Sequence, residues 1–190
     1  MDTRELERSL RGRIGGLIHF WGIYTSDNMP VVQYNSKPII FIANTLHSNT
    51  EVTAVGHWVC FYIEFLPVKR VIFYDSYGLL PSFYSSEFSD YINKKYKDFN
   101  TYHFGVQLQP DTSQKCGLYS LNFIHYVSHY GINNFISLFK NVFNPRRLNQ
   151  NDSYITRYYF KHLSKFKSCS YWKSGKKRAI SYAECKKNKW

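Results

Sequence analysis

A chain of 190 residues with 44% hydrophobic and 19% aromatic content is long enough to bury a core as one domain, which argues against wholesale disorder. No apolar run reaches membrane-spanning length, the charged start Met1–Arg8 does not read as a signal peptide, and four widely spaced cysteines (Cys60, Cys116, Cys169, Cys185) fit a reducing compartment without a disulfide framework or a zinc site. The net charge of +12 is concentrated: Arg157–Trp190 holds eleven Lys and Arg against Glu184 alone, so this end supplies +10 of it.

In chain order, Asp2-Thr3-Arg4-Glu5 has the form of a capping box opening a short helix through about Arg11, which Gly12 to Gly16 end. Leu17–Tyr24 is aromatic and β-branched, and Ser26–Pro30 is a turn. Pro38–Thr45 reads as a buried strand and His47–Glu51 as a polar loop. A second strand over Gly56–Phe65 and a third over Val71–Asp75 are joined so briefly, by Pro67–Arg70, that an antiparallel hairpin is the simplest pairing.

Ser76-Tyr77-Gly78 closes the third strand. Ser82–Tyr96 has helical spacing, with Phe83, Phe88, Tyr91 and Ile92 available for one face, and Thr101–Leu108 gives a fourth strand. From Cys116, the residues Leu118, Leu121, Ile124 and Val127 recur at helical spacing, with Gly131 at the C-cap position. Asn133–Phe139 and Ser153–Phe166 are further helices, separated by Asn144-Pro145. Strands followed by helices predict an α+β domain in which a small, central, mostly antiparallel sheet packs on helices. The domain spans 1–167, and 168–190 forms a basic, aromatic-containing tail.

Cys116 falls in the first turn of its helix, where unpaired backbone N–H groups and the positive dipole end favour thiolate over thiol. A buried structural cysteine is the alternative. A nucleophilic thiol needs a base, a group that orients the base and donors for an oxyanion. His57 opens the second strand and Asp75 closes the third, so a tight hairpin brings them together as an imidazole–carboxylate pair. Gln109, seven residues before Cys116, sits at the strand-to-helix junction, where its amide and the Cys116 N–H form a candidate oxyanion hole. Each also has an ordinary reading: six other histidines compete, Asp75 suits a turn and Gln109 a solvated loop.

In the tail, Lys173, Lys176, Lys177, Arg178, Lys186 and Lys187 lie among Tyr171, Trp172, Tyr182 and Trp190. Basic charge interleaved with aromatic rings suits a polyanionic partner such as nucleic acid; a solvated, partly disordered tail that only aids solubility is the alternative.

The segments Gly56-His57-Trp58, Phe73–Gly78 and Gln109–Tyr119 resemble the three signatures of the adenovirus-type maturation cysteine proteases (adenain), in the same broad group as the SUMO-specific proteases. Phe20–Tyr24, Ala43-Asn44-Thr45 and Tyr154–Ser168 extend the likeness over most of the chain. The resemblance implies a cysteine endopeptidase with His57 as general base, Asp75 as its partner, Gln109 as oxyanion donor and Cys116 as nucleophile. It implies a monomer that needs no chemical cofactor, acts in the virion and host nucleus, and cleaves viral capsid and core precursors with DNA as a partner. Two departures stand out. Adenovirus enzymes usually carry Glu at the Asp75 position, and Asp98–Leu108 has no cysteine to tether an activating peptide, so any viral peptide activator is expected to bind noncovalently. The alternatives are a processing protease for ubiquitin-like conjugates and a non-enzymatic, basic, nucleic-acid-binding virion protein.

Overall fold

The computed structural model describes residues 1–51, 54 and 56–164, together with the backbone of two strands at 169–173 and 176–180. Helix α1 (Thr3–Leu10) starts on the expected capping box: the Asp2 carboxylate accepts the Glu5 N–H, and the Glu5 carboxylate accepts the Asp2 N–H. Five strands follow in one sheet: β1 (His19–Thr25), β2 (Ile39–Asn44), β3 (Trp58–Glu64), β4 (Arg70–Tyr74) and β5 (Asn100–His103), in spatial order β1-β2-β3-β4-β5. The helices are α2 (Pro81–Tyr84), α3 (Ser86–Lys95), α4 (Cys116–Tyr130), α5 (Ile132–Val142) and α6 (Leu148–Tyr158), the last running into a π-helical turn at Tyr159–Leu163.

β2, β3 and β4 are apolar almost without interruption because both of their faces are covered. Ile40, Ile42, Cys60, Tyr62, Ile72 and Tyr74 point to one side, where they meet Leu6 and Leu10 of α1, the α4 residues Leu121, Phe123, Ile124 and Val127, Phe135 of α5 and Ile155 of α6. Phe41, Ala43, Val59, Phe61, Ile63, Val71 and Phe73 point to the other, against Phe88, Tyr91 and Ile92 of α3. The result is three layers in an α+β architecture, with the sheet in the middle. α4 is buried on nearly every side, as befits a helix enclosed between the sheet and the other helices.

The sequence-based reading of the sheet holds at its centre and changes at its edges. β2–β3 and β3–β4 are antiparallel, but β1–β2 and β4–β5 are parallel, so the sheet is mixed rather than mostly antiparallel. The crossover from β4 to β5 carries α2 and α3 over one face, the kind of connection a parallel pair requires. The fourth strand was expected to reach Leu108 and stops at His103, because its partner β4 ends at Tyr74 and leaves no ladder to continue. Beyond it, the N–H groups of Leu108 and Gln109 both turn to the Ser76 carbonyl.

The expected single helix over Ser82–Tyr96 is two helices, broken at Ser85, whose extended backbone (φ −162°, ψ 153°) caps α3. Phe83 is accordingly 67% exposed rather than part of the inner face, while Phe88, Tyr91 and Ile92 are buried as expected. The expected helices over Asn133–Phe139 and Ser153–Phe166 are longer or shifted: α5 runs to Val142, and α6 begins at Leu148. Asn151 of α6 donates to the Leu108 and Asn144 carbonyls, fastening this helix to the segment that leads into α4.

Among the described residues no helix is long and apolar enough to cross a membrane. Part of the basic tail forms an antiparallel pair, β6 (Cys169–Lys173) with β7 (Lys176–Ile180), which carries Lys173, Lys176, Lys177 and Arg178; Lys186 and Lys187 lie outside the described residues.

Candidate active site

The site is assembled by the β3–β4 hairpin and the start of α4. Cys60 of β3 faces Tyr74 of β4, so one step on Asp75 faces Val59, and His57 lies two residues further along. This diagonal relation is close enough for long side chains to meet, and His57 Nε2 donates to Asp75 Oδ1 at 2.6 Å. α4 is tied to the same strand. The Ser120 hydroxyl donates to the Trp58 carbonyl at 3.3 Å, which sets Cys116, one turn earlier, beside His57. With Nε2 on Asp75, Nδ1 is the ring nitrogen left to face the Cys116 sulfur, which lies close enough for each group to shift the other's pKa. The backbone of Trp58 and Gly117 also helps lower the pKa of that thiol.

Asp75 is 1% exposed and its carboxylate accepts four hydrogen bonds. Oδ1 takes His57 Nε2–H and the Tyr77 N–H at 3.1 Å; Oδ2 takes the Leu79 N–H at 2.8 Å and the Tyr84 hydroxyl at 2.9 Å. These bonds fill the acceptor positions of an ionised carboxylate, so the charge is buried but fully satisfied. The turn that makes this possible closes at Gly78, whose φ of +72° disfavours any side chain and whose Cβ would lie 2.5 Å from the Val106 carbonyl carbon.

The electrostatics follow from that arrangement. Burial alone would hold the His57 pKa down, but the hydrogen bonds and charges of Asp75 and Cys116 outweigh it and raise it to about 9. Burial alone would raise the Cys116 pKa; the hydrogen bond and charge of His57, with the two backbone donors, lower it instead. Cys60, equally a cysteine and fully buried, has no such partner and is pushed up to about 12. The two shifts run in opposite directions, the His57 pKa up and the Cys116 pKa down, and both favour the charged form of the pair.

Gln109 is where the sequence suggests, beside the helix start, but its amide is engaged inside the protein. It is 0% exposed. Its Oε1 accepts from the Ser76 hydroxyl at 2.7 Å, and Nε2 donates both to the Ser113 carbonyl at 2.7 Å and to the Tyr77 hydroxyl at 3.1 Å. Gln109 thus braces the Asp75–Tyr77 turn against the loop before Cys116. Cys116 is first in α4, so its N–H is one of those at the helix start that have no partner within the helix.

His57 and Cys116 line a cleft of about 750 Å³, along with Asn44, Trp58, Tyr77 and Tyr84. Sequence reasoning missed several of its parts. Tyr77 and Tyr84 each stack with the His57 ring, with centroids 4.7 and 5.2 Å away. Asp152 of α6 anchors the loop before the cysteine by accepting from Ser113 Oγ at 2.7 Å and pairing with Lys115 at 3.3 Å. The first residues of the chain also form part of the wall: Trp58 Nε1 donates to the Met1 carbonyl at 3.0 Å, and a Cβ on Gly117 would lie 3.0 Å from the Met1 sulfur. Pro81 at the start of α2 was a readable signal for a separate turn carrying Tyr84. Nothing local marks the Met1 contact. Among the described residues no group of three or more His, Cys, Asp or Glu side chains is placed to hold a metal ion.

No known family profile matches the chain, and no curated protein does. Solved structures with a related chain course include an ASFV protease (14% identity, TM-score 0.43, covering 76% of this chain and 59% of that one). Another is the central domain of a Legionella pneumophila protein (14%, 0.48, 83% and 96%), and a third is ChlaDub1 from Chlamydia trachomatis (14%, 0.38, 64% and 59%). The chain spans less than two thirds, 59%, of the ASFV and Chlamydia structures. The functional reading rests on the side chains of the cleft.

Proposed function

We propose that the protein is a cysteine endopeptidase with Cys116 as nucleophile, His57 as general acid and base and Asp75 as the carboxylate that orients the imidazole. The observation that carries this reading is the His57 ring hydrogen-bonded to Asp75 and set beside Cys116 on the wall of one cleft, with the sulfur at the N-terminus of a buried helix. In the forward step the thiolate attacks a peptide carbonyl carbon, and the carbonyl π electrons move to oxygen. The imidazolium then gives its Nδ1 proton to the departing amine nitrogen as the C–N bond breaks. In the return step neutral His57 takes a proton from water, whose oxygen attacks the thioester carbon. Collapse of the adduct breaks the C–S bond, releasing the carboxylic acid product and the thiolate, while the proton stays on His57 and restores the starting pair. The Cys116 N–H is one oxyanion donor. The Gln109 amide becomes the second by leaving the Tyr77 hydroxyl, the longer of its two donor contacts.

The substrates that fit the resemblance are viral capsid and core precursors cleaved during virion maturation, and the basic end, including the β6–β7 hairpin, would hold the enzyme on DNA. The experiment is a cleavage panel that sets peptides from such precursors, including Gly-Gly-containing ones, against ubiquitin-like conjugates, run with wild type and Cys116→Ala. Cleavage of precursor peptides that is lost in Cys116→Ala supports the assignment. Preference for the conjugates moves it to a processing protease, and equal cleavage by Cys116→Ala overturns it. For the tail, a DNA affinity that falls steeply with salt and is lost on deleting 168–190 supports DNA association; an affinity unchanged by the deletion refutes it.

A further inference from the structure

Both candidate oxyanion donors, the Gln109 amide and the Cys116 N–H, belong to the connection from β5 into α4, which has no strand or helix of its own between His103 and Cys116. Much of what fixes this connection lies on α6. Asn151 Nδ2 donates to the Leu108 carbonyl at 3.1 Å, one residue before Gln109. Its neighbour Asp152 accepts from the Ser113 hydroxyl at 2.7 Å through Oδ2 and from the Tyr119 hydroxyl at 3.0 Å through Oδ1. Oδ2 also pairs with Lys115 Nζ at 3.3 Å, and the Asp152 side chain is only 12% exposed. Burial raises the Tyr119 pKa, so its hydroxyl stays a donor. A single carboxylate thus grips the chain just before Cys116, at Ser113 and Lys115, and again in the first turn after it, at Tyr119.

We propose that Asp152 is a positioning residue for the oxyanion donors: it fixes Ser113, whose carbonyl accepts the Gln109 amide at 2.7 Å, and the first turn of α4, which presents the Cys116 N–H. This rests on the peptidase reading of the same site. Donors stabilise an oxyanion well only if they are already in place and need no rearrangement as charge develops. An ionised carboxylate suits that task because it is acceptor-only and can hold several donors at once. Its burial is costly, and Lys115 offsets that cost. The same pairing cancels a negative charge that would otherwise oppose a second one developing at the head of α4. His57 and Asp75 are held by the β3–β4 hairpin instead. Asp152 therefore serves the transition state and leaves the nucleophile and its base as they are.

The experiment compares wild type, Asp152→Ala, Asp152→Asn and Ser113→Ala by three readouts. These are steady-state peptide cleavage, inhibition by an aldehyde made from the acyl side of a cleaved peptide, and the rate at which iodoacetamide alkylates Cys116. Addition of the thiolate to the aldehyde carbon sends the carbonyl π electrons to oxygen and so places an oxyanion at the donors; alkylation by iodoacetamide does not. Asp152→Ala is expected to lower kcat by roughly 10- to 100-fold with KM within about twofold, and to weaken aldehyde inhibition by a similar factor. Alkylation should stay within about threefold of wild type. Asp152→Asn, which keeps the volume and one acceptor oxygen, should recover part of the loss, and Ser113→Ala should show the same pattern with a smaller effect. An unchanged kcat in folded Asp152→Ala, or an alkylation rate that falls along with kcat, would overturn the positioning role and leave the peptidase reading standing. If Asp152→Ala does not fold, Asp152→Asn and Ser113→Ala decide. A wild type that cleaves no peptide and alkylates at Cys116 like an ordinary thiol would instead overturn the peptidase reading, and this role with it.

Discussion

Two histidine sites in this molecule make opposite use of the same side chain. The side chain of His57 is 11% exposed and faces Asp75 and the Cys116 sulfur, which together raise its pKa to about 9. His125 on α4 is 9% exposed; its Nδ1 meets the Tyr158 hydroxyl at 2.7 Å, and its neighbours are His129, His162 and Arg13. Burial and those cationic or potentially cationic groups lower its pKa to about 4. Burial opposes the charge in both places, so the sign of the shift is decided by the partners. A candidate base is identified by what its ring touches, and the presence of seven histidines in the sequence says little on its own.

The comparison breaks most visibly if the wrong histidine is essential. Cys116→Ala is expected to reduce peptide cleavage to background and His57→Ala to reduce kcat by roughly a thousandfold or more, with folding checked by circular dichroism. His125→Phe should leave kcat within about twofold, since it lies outside the pair that exchanges the proton. Asp75→Ala removes the acceptor that anchors His57, and a kcat loss of roughly 100-fold or more is expected in steady-state assays. Gln109→Ala should lower kcat by about 100-fold while leaving the alkylation rate of Cys116 unchanged, because the oxyanion donor serves only the transition state. Loss of alkylation in Gln109→Ala would instead make this residue a brace for the Asp75–Tyr77 turn alone.

The pH dependence sharpens the contrast, because the two sites act on opposite sides of neutrality. The imidazolium–thiolate pair exists above the lowered Cys116 pKa and is lost as pH rises through about 9, so the alkaline limb of the cleavage profile belongs to His57. His125 resists protonation in the fold but not in the unfolded chain, where its ordinary value is 6.5. Between about 6.5 and 4 the unfolded state therefore binds more protons, and stability falls as the pH falls. Urea denaturation at pH 7 and pH 5 should show this loss, reduced in His125→Phe. The smallest effect is structural: Gly78→Ala should cost about 1–3 kcal/mol in the same assay, from its left-handed backbone and the crowding at Val106.

Much of this was legible in the sequence because the relevant signals are local. The capping box of α1, the apolar runs of β2 to β4, the brief β3–β4 connection and the Cys116 helix with its Gly131 cap all declare themselves within a few residues. The meeting of His57 and Asp75 follows from the hairpin alone. What sequence could not give depends on distant packing. The parallel edges come from the crossover through α3; the end of β5 is set by the end of β4; and the break at Ser85 is overridden in the sequence by continuous helical spacing. The Gln109 side chain sits where the spacing suggested, yet its bonds to Ser76, Tyr77 and Ser113 join two loops that no local pattern connects. The same holds for Tyr77 and Tyr84, which stand on separate elements and both stack with the His57 ring.

The central claim is that His57 carries a proton and Cys116 a negative charge at neutral pH. NMR titration of the His57 imidazole in wild type and Cys116→Ala measures this without any substrate. The account predicts a ring that stays protonated to about pH 9 in wild type and titrates lower once the sulfur is gone. A ring that titrates near 6.5 in both proteins would contradict it.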